Sequence, residues 1–583
     1  MTVIRLAAMH WPVLIPIAVL VGLSTALFPS AGRDDAYITY WAAYALGEFG
    51  EIVNLNGERL EQSSSLLHVI VLAVASWLTP LSVASAGPIV SLLSGVLTLV
   101  YTYRLAGLMV PRWYGVMATM IVATVAPFVY WSAGGLEGTL SALVATALMY
   151  YLIDPLHLPK SHKSKWVMIV VVPAYILVRP EGIFVLTALL IGTFTVVRTR
   201  AISVESLERL EEYFLVLRRL LWWALVLIGS SVAIFGFRVL YFGSWFPQPV
   251  SGKEDVSGLF TELGGGFEYL VNAMVPPPIS ILPLFLLAGM ILSVRGLIQD
   301  QNKFWGSTAL TIFVAINIVF ILFVGGDWME GSRFIVPVVP AIAVLAISVV
   351  PKIPNGELRV YAVMGILVLN LVGVVWFAKF GSISTPIWEV ARIETSTLPV
   401  ENYSWYARPN RTHLRDIPVS ERLNEIVSVL KLEVDGRVVI MSGQAGFVMF
   451  HVAKENYQEI EFVDRHALTT THFTECRSTR DIARTSIGLM LTYTAFIANE
   501  IEIENDCGIP RPHVIFALDV PERTVEKAVT SGDYTVVYGQ TGRIKTGDTL
   551  EGIEVLAHEF IAVREDLVHL FPEPLPEVRV WGE

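Results

Sequence analysis

Charge is what this sequence has least of. Asp, Glu, Lys and Arg make up 16% of its 583 residues, where a soluble domain averages about 25%. That shortage excludes an ordinary soluble protein, and the 54% of apolar residues points to a membrane protein. A net charge of −11 leaves no basic surface for a nucleic acid. Internal repeats and low-complexity tracts are absent, and no ligand spacing demands a metal ion. No small-residue cleavage site follows the first apolar run, so that run is expected to persist as an anchor. Cysteine is limited to Cys476 and Cys507. In an oxidising compartment they could pair, closing a loop that stabilises the domain by about 3–4 kcal/mol.

The charge present is unevenly spread. Residues 381–583 hold 31 acidic and 19 basic side chains, whereas residues 1–380 hold 21 and 22. The acidity thus belongs to the C-terminal third. Apolar runs at 11–28, 86–108, 114–131, 137–153, 166–178, 182–197, 220–242, 279–297, 305–324, 333–350 and 360–378 read as membrane spans. With the N-terminus in the cytoplasm, nearly every basic cluster of the short connections falls on the inner side. Arg104, Arg112, Lys160, Lys163, Arg198 and Arg218 are examples. This holds if Ser65–Leu78, a short segment that includes His68, lies on the outer interface rather than crossing. The expectation is a mostly α, polytopic bundle of about 11 spans over residues 1–380. Residues 381–583 are expected to form a small extracytoplasmic α/β domain. Its strand-like runs are Arg437–Met441, His513–Leu518 and Tyr534–Tyr538, and Ser420–Leu430 reads as a helix.

In this orientation the unusual polar residues collect on the outer face. The first loop carries Asp34-Asp35-Ala36-Tyr37-Ile38, then Asn54-Leu55-Asn56-Gly57-Glu58-Arg59-Leu60-Glu61. The next carry Gly134-Gly135-Leu136-Glu137 and Arg179-Pro180-Glu181-Gly182. A fourth has Tyr241-Phe242-Gly243 with Pro247 and Lys253, and a fifth has Gly325-Gly326-Asp327-Trp328-Met329 with Arg333. Each has a plain structural explanation. The aspartates could cap the helix Tyr37–Leu46, Glu181 could sit favourably in a first helical turn, and Arg333 could snorkel. Gly264-Gly265-Gly266 reads as a flexible loop triplet. Charged groups are costly near hydrocarbon, however, and five such loops at one membrane depth are what a site needs.

Taken in order, these motifs resemble the membrane glycosyltransferases of the GT-C superfamily. The resemblance is strongest to the terminal arabinofuranosyltransferases of the actinobacterial cell wall. It covers residues 11–350 well and the C-terminal domain only faintly. It implies a polyprenyl-phosphate sugar donor, such as decaprenyl-phosphate arabinofuranose, an extracytoplasmic glycan acceptor, and a multi-pass position in the plasma membrane. It also implies roles. Asp34 or Asp35 would deprotonate the acceptor hydroxyl. Arg179, Lys253 and Arg333 would hold the donor phosphate. Glu61, Glu137, Glu181, Asp327 and Trp328 would contact sugar or acceptor, or orient those cations. No cofactor is required, although the carboxylates are hard oxygen ligands that a divalent cation would accept.

Three other readings compete. A polyprenyl-phosphate hexose transferase keeps the mechanism and changes the sugar. A lipid or glycan flippase would show inverted repeats and charges near the bilayer midplane, and here the charges lie at span ends. A non-enzymatic glycan-binding scaffold would not need the membrane-face carboxylates. The acidic outer domain suits a neutral glycan better than an anionic polymer.

Overall fold

Apolar side chains dominate nearly every helix before Phe380, and many of them point outward. Leu240, Val232, Val170 and Trp166 are 68–90% exposed, which is stable only against lipid. The computed structural model describes residues 11–28, 34–157, 163–202, 207–252, 259–274, 281–298, 305–327, 331–380, 409–443, 445–464, 469–470, 510–521, 534–545, 554–571 and 579–581. Lys253, Trp328, Cys476 and Cys507 lie outside them, and with them the expected disulfide.

Sixteen helices are described before residue 381. They are α1 Leu14–Leu27, α2 Asp34–Phe49, α3 Leu66–Leu78, α4 Val83–Gly107, α5 Arg112–Thr124, α6 Ala126–Trp131, α7 Gly138–His157 and α8 Lys163–Val178. There follow α9 Gly182–Ile202, α10 Leu207–Phe242, α11 Gln248–Gly252, α12 Leu259–Met274, α13 Leu282–Ile298, α14 Trp305–Val324, α15 Val339–Ile347 and α16 Gly356–Phe380. Among the described residues, five segments are long and apolar enough to cross a bilayer: Val83–Gly107, Phe214–Phe242, Gly306–Val324, Arg333–Lys352 and Gly356–Ala378. Six shorter apolar helices accompany them. The chain is a multi-pass membrane protein. Residues 114–131, one run in the sequence, are two helices: Val125 is extended, and Pro127, lacking an N–H and clashing with the carbonyl four residues back, cannot continue the first helix. The helix α3 spans only 13 residues, or roughly 20 Å, short of a roughly 30 Å core.

The triplet Gly264-Gly265-Gly266 is a correction. It lies within helix α12, not in a loop. A Cβ on Gly266 would come within 2.6 Å of the Leu322 backbone and one on Gly265 within 3.0 Å of the Gly325 carbonyl. The glycines let α12 and α14 touch backbone to backbone, as small residues do between membrane helices.

Beyond the bundle, α17 Pro409–Leu430 and α18 Phe447–Asn456 pack beside a six-stranded sheet. Its strands are β1 Val438–Ser442, β2 Ile460–Asp464, β3 Val514–Pro521, β4 Tyr534–Lys545, β5 Glu554–Arg564 and β6 Arg579–Trp581, in the order β2-β1-β3-β5-β4-β6. The three strand-like runs of the sequence fall on β1, β3 and β4. β1 pairs parallel with β2 and β3, while β5 runs antiparallel to both β3 and β4.

The first loop is wedged between bundle and sheet. Asn54 builds its turn: its Oδ1 accepts from the N–H groups of Asn56 (3.0 Å) and Glu58 (2.8 Å), with Gly57 at φ +82°. Asn56 then clips the free edge of β2. Its Nδ2 donates to the Phe462 carbonyl (2.9 Å) and its Oδ1 accepts from the Phe462 N–H (2.7 Å), which blunts an open strand edge. On the other side, both oxygens of Glu61 meet the Arg238 guanidinium at 2.8 and 3.0 Å, with side chains 2% and 0% exposed. Burial pushes the Glu61 carboxyl up and Arg238 draws it back. Removing one partner of such a pair strands a buried charge. Glu61→Ala or Arg238→Ala should therefore each destabilise the protein by about 3–5 kcal/mol. Thermal unfolding of the detergent-solubilised protein checks this, and Glu61→Gln paired with Arg238→Met should recover most of the loss.

Candidate active site

Three of the polar loops meet beside the first one. The Gly134–Glu137 turn is held by its carbonyls. Tyr40 Oη donates to the Gly135 carbonyl (3.1 Å) and Ser91 Oγ to that of Leu136 (3.0 Å). Gly135 takes φ +73°, a conformation that favours glycine. Glu137 is thereby fixed just before α7, 2% exposed.

Pro180 halts helix α8 directly after Arg179, since proline disfavours a helical residue before it. The Gly182 N–H closes the turn on the Arg179 carbonyl (3.0 Å). Arg179 Nη2 lies 3.6 Å from Glu137 Oε1 and its Nε lies 3.7 Å from Glu181 Oε1. These are ion pairs just beyond hydrogen-bond reach. Buried Nε and Nη2 therefore have no hydrogen-bond acceptor among the described residues. The guanidinium carbon sits 5.0 Å from the centre of the Phe334 ring.

Arg333 is held more tightly. Its Nε is 2.5 Å from Asp327 Oδ2 and its Nη2 donates to Oδ1 at 3.3 Å. The chain bends sharply just before each of them: Gly325 and Gly326 have φ of +75° and +86° ahead of Asp327, and Gly331 and Ser332 have +82° and +48° ahead of Arg333. Trp131 Nε1 donates to the Gly331 carbonyl (2.7 Å) and Phe334 N–H to Tyr269 Oη (2.8 Å), which lock the loop in place. The charges of Asp327, Glu137 and Asp35 all act on the Arg333 guanidinium. A narrow cleft beside Arg179 is lined by Ser141, Tyr175, Glu181, Asn317 and Phe334.

Of the residues singled out in the sequence, the structure brings together Glu137, Arg179, Glu181, Asp327 and Arg333 in ion pairs, and the charge of Asp35 acts on Arg333. Two are placed elsewhere. Glu61 pairs with Arg238, and Asp34 Oδ1 accepts from the Phe447 N–H at 2.7 Å. Two residues went unassigned in the sequence. Arg238 was hidden inside an apolar run. His68 is wholly buried, with neither ring nitrogen hydrogen-bonded among the described residues. His68 was visible as the one ionisable residue of an apolar segment. Among the described residues, no three His, Cys, Asp or Glu side chains are grouped to hold a metal.

Comparison with known proteins fits this geometry. No family model matches the chain, and no curated protein matches it in sequence. Solved structures do match. An oligosaccharyltransferase from Archaeoglobus fulgidus, solved with zinc and sulfate, aligns with TM-score 0.51 and 13% identity, over 96% of this chain and 77% of its own. ArnT from Cupriavidus metallidurans aligns with TM-score 0.51 and 15% identity, over 96% of this chain and 99% of its own. The same protein bound to undecaprenyl phosphate gives 0.50 at 15% identity, over 94% and 98%. The fold is one this chain shares with that oligosaccharyltransferase and with ArnT: a bundle of apolar helices followed by a small C-terminal sheet region.

The turn at Arg179 has a sharp steric requirement. A Cβ on Gly182 would lie 2.7 Å from the Tyr175 carbonyl oxygen. Gly182→Ala should destabilise by about 1–3 kcal/mol and shift Arg179 and Glu181 together. A fall in melting temperature accompanied by lost activity is the expected result.

Proposed function

We propose that this protein transfers a sugar from a polyprenyl-phosphate donor to a glycan acceptor. The observation that carries the reading is Arg179: a buried guanidinium whose Nε and Nη2, ion-paired between carboxylates, have no hydrogen-bond acceptor among the described residues, beside a second arginine under the field of Asp35. Unused buried donors cost about 1–3 kcal/mol each until an acceptor arrives. A phosphate oxygen supplies one, and the planar guanidinium suits it. The fold supports the reading because ArnT, which shares it, has been solved with undecaprenyl phosphate bound.

In this mechanism the acceptor hydroxyl gives its proton to Asp35 as its oxygen attacks the anomeric carbon. The bond from that carbon to the phosphate oxygen breaks, and its electron pair leaves with the polyprenyl phosphate. Arg179 stabilises the charge that develops there. Arg333, locked to Asp327, supplies a fixed positive field, while Glu137 and Glu181 aim Arg179. Lys253 and Trp328 remain candidates for phosphate and sugar contact. The donor sugar we assign is arabinofuranose, on the motif resemblance, and the acceptor a cell-wall polysaccharide. Residues 1–380 would be the catalytic domain, with the N-terminus cytoplasmic. Residues 381–583 would be the acceptor-facing domain outside the plasma membrane, with Cys476 and Cys507 as a candidate disulfide.

Transfer from polyprenyl-phosphate arabinofuranose and from hexose analogues to short glycans tests this in purified protein. Asp35→Asn should cut kcat by about 10²- to 10⁴-fold with donor binding retained. Arg179→Ala should weaken donor binding by about 10- to 100-fold, the value of a hydrogen bond to a charged group. Equal activity in wild type and both variants would contradict the assignment.

A further inference from the structure

Asp34 and Asp35 are adjacent in sequence but face different partners. Asp35 acts on Arg333 inside the membrane-side cluster. Asp34 reaches the other way, into the C-terminal domain, where its Oδ1 takes the Phe447 N–H at the start of helix α18. The orphan N–H groups and positive end of a ten-residue helix favour a carboxylate there. Gly446, the residue before the helix, is pressed on the same aspartate: a Cβ there would come within 2.2 Å of the Asp34 carbonyl oxygen and 2.3 Å of its Cγ. Only glycine permits this approach.

The contact continues along α2. Tyr37 sets its ring edge-on against Phe447 and Phe450, at 5.0 and 5.4 Å between centroids. One turn further, Trp41 meets Phe450 and Tyr457, and Phe49 stacks on Tyr457 at 4.5 Å. One face of α2 is therefore zipped to α18, and its first residue is pinned by the helix N-terminus. Asp35 is the next residue.

We propose that Asp34 is a positioning residue, the latch by which the C-terminal domain sets the place of Asp35 in the membrane-side cluster. This goes beyond a domain that merely collects acceptor. It rests on the reading of Asp35 as the base. An acceptor-binding role alone would alter the acceptor KM, whereas a latch on the base alters kcat.

The test uses full-length protein with Asp34→Asn, Asp34→Ala and Gly446→Ala. Asparagine caps a helix about as well as aspartate, whereas alanine does not. Asp34→Asn should therefore keep kcat within about threefold of wild type. Asp34→Ala and Gly446→Ala should lose about a hundredfold in kcat, the scale of a reacting group displaced by 1 Å, with acceptor KM nearly unchanged. Deuterium exchange of the peptide spanning 445–452 provides a readout that needs no activity. It should speed up in Asp34→Ala and Gly446→Ala and stay at the wild-type rate in Asp34→Asn. Asp34→Asn as inactive as Asp34→Ala, with unchanged exchange, would show that the Asp34 charge takes part in chemistry and would overturn the latch. Exchange identical in all four proteins would overturn it too. Absent transfer in the wild type, with the expected exchange pattern, would leave the latch standing and refute the sugar-transfer reading instead.

Discussion

The reactive end of this protein depends on how residues 34–62 are gripped from both sides. Below, the Glu61–Arg238 pair and the Gln248 N–H on the Glu61 carbonyl (2.9 Å) tie the segment to the bundle. Above, Asn56 clips the edge of β2, the Asn54 amide donates to the Thr469 carbonyl (3.0 Å), and α18 seats on α2. Polar groups buried in such numbers are stable only when each has a partner. Its second half, residues 50–62, thus has one arrangement rather than many, although it has no regular secondary structure.

A second constraint is charge balance beside hydrocarbon. Asp35, Glu137, Glu181 and Asp327 are matched against Arg179 and Arg333 among the described residues. Isolated, each of these groups would be expensive to bury. Together they compensate, but unequally. Arg333 and Asp327 are in close contact, whereas Arg179 hangs between two carboxylates at 3.6 and 3.7 Å. A tightly matched pair holds a structure in place. A loosely matched guanidinium can turn to a new anion at small cost. On this reasoning Arg179, rather than Arg333, is the cation suited to a phosphate that comes and goes.

Much of the cluster was legible in the sequence because a charge at the end of an apolar run stands out. Glu137, Arg179, Asp327 and Arg333 were each flagged by that contrast, and each sits within two residues of a glycine or proline that bends the chain. What was not legible is what lies far along the chain. Phe447 is 413 residues from Asp34, and no local pattern reports that contact. Arg238 looked like part of a membrane run because its partner, Glu61, is 177 residues away. Gly264–Gly266 was misread for a similar reason. A glycine run signals flexibility or close packing equally well, and only the neighbouring helix α14 decides between them. The elements that are legible are those set by local contrast, and the joints that position them are set by tertiary contact.

The central claim is that this cluster moves a sugar from a lipid phosphate. The most direct measurement is the stoichiometry of a single reaction in reconstituted membranes: glycan product formed against polyprenyl phosphate released. The account predicts one phosphate released for each sugar transferred, with the lipid remaining in its original leaflet. Lipid-linked sugar that crosses the bilayer intact, with no glycan product, would contradict it and make the protein a transporter.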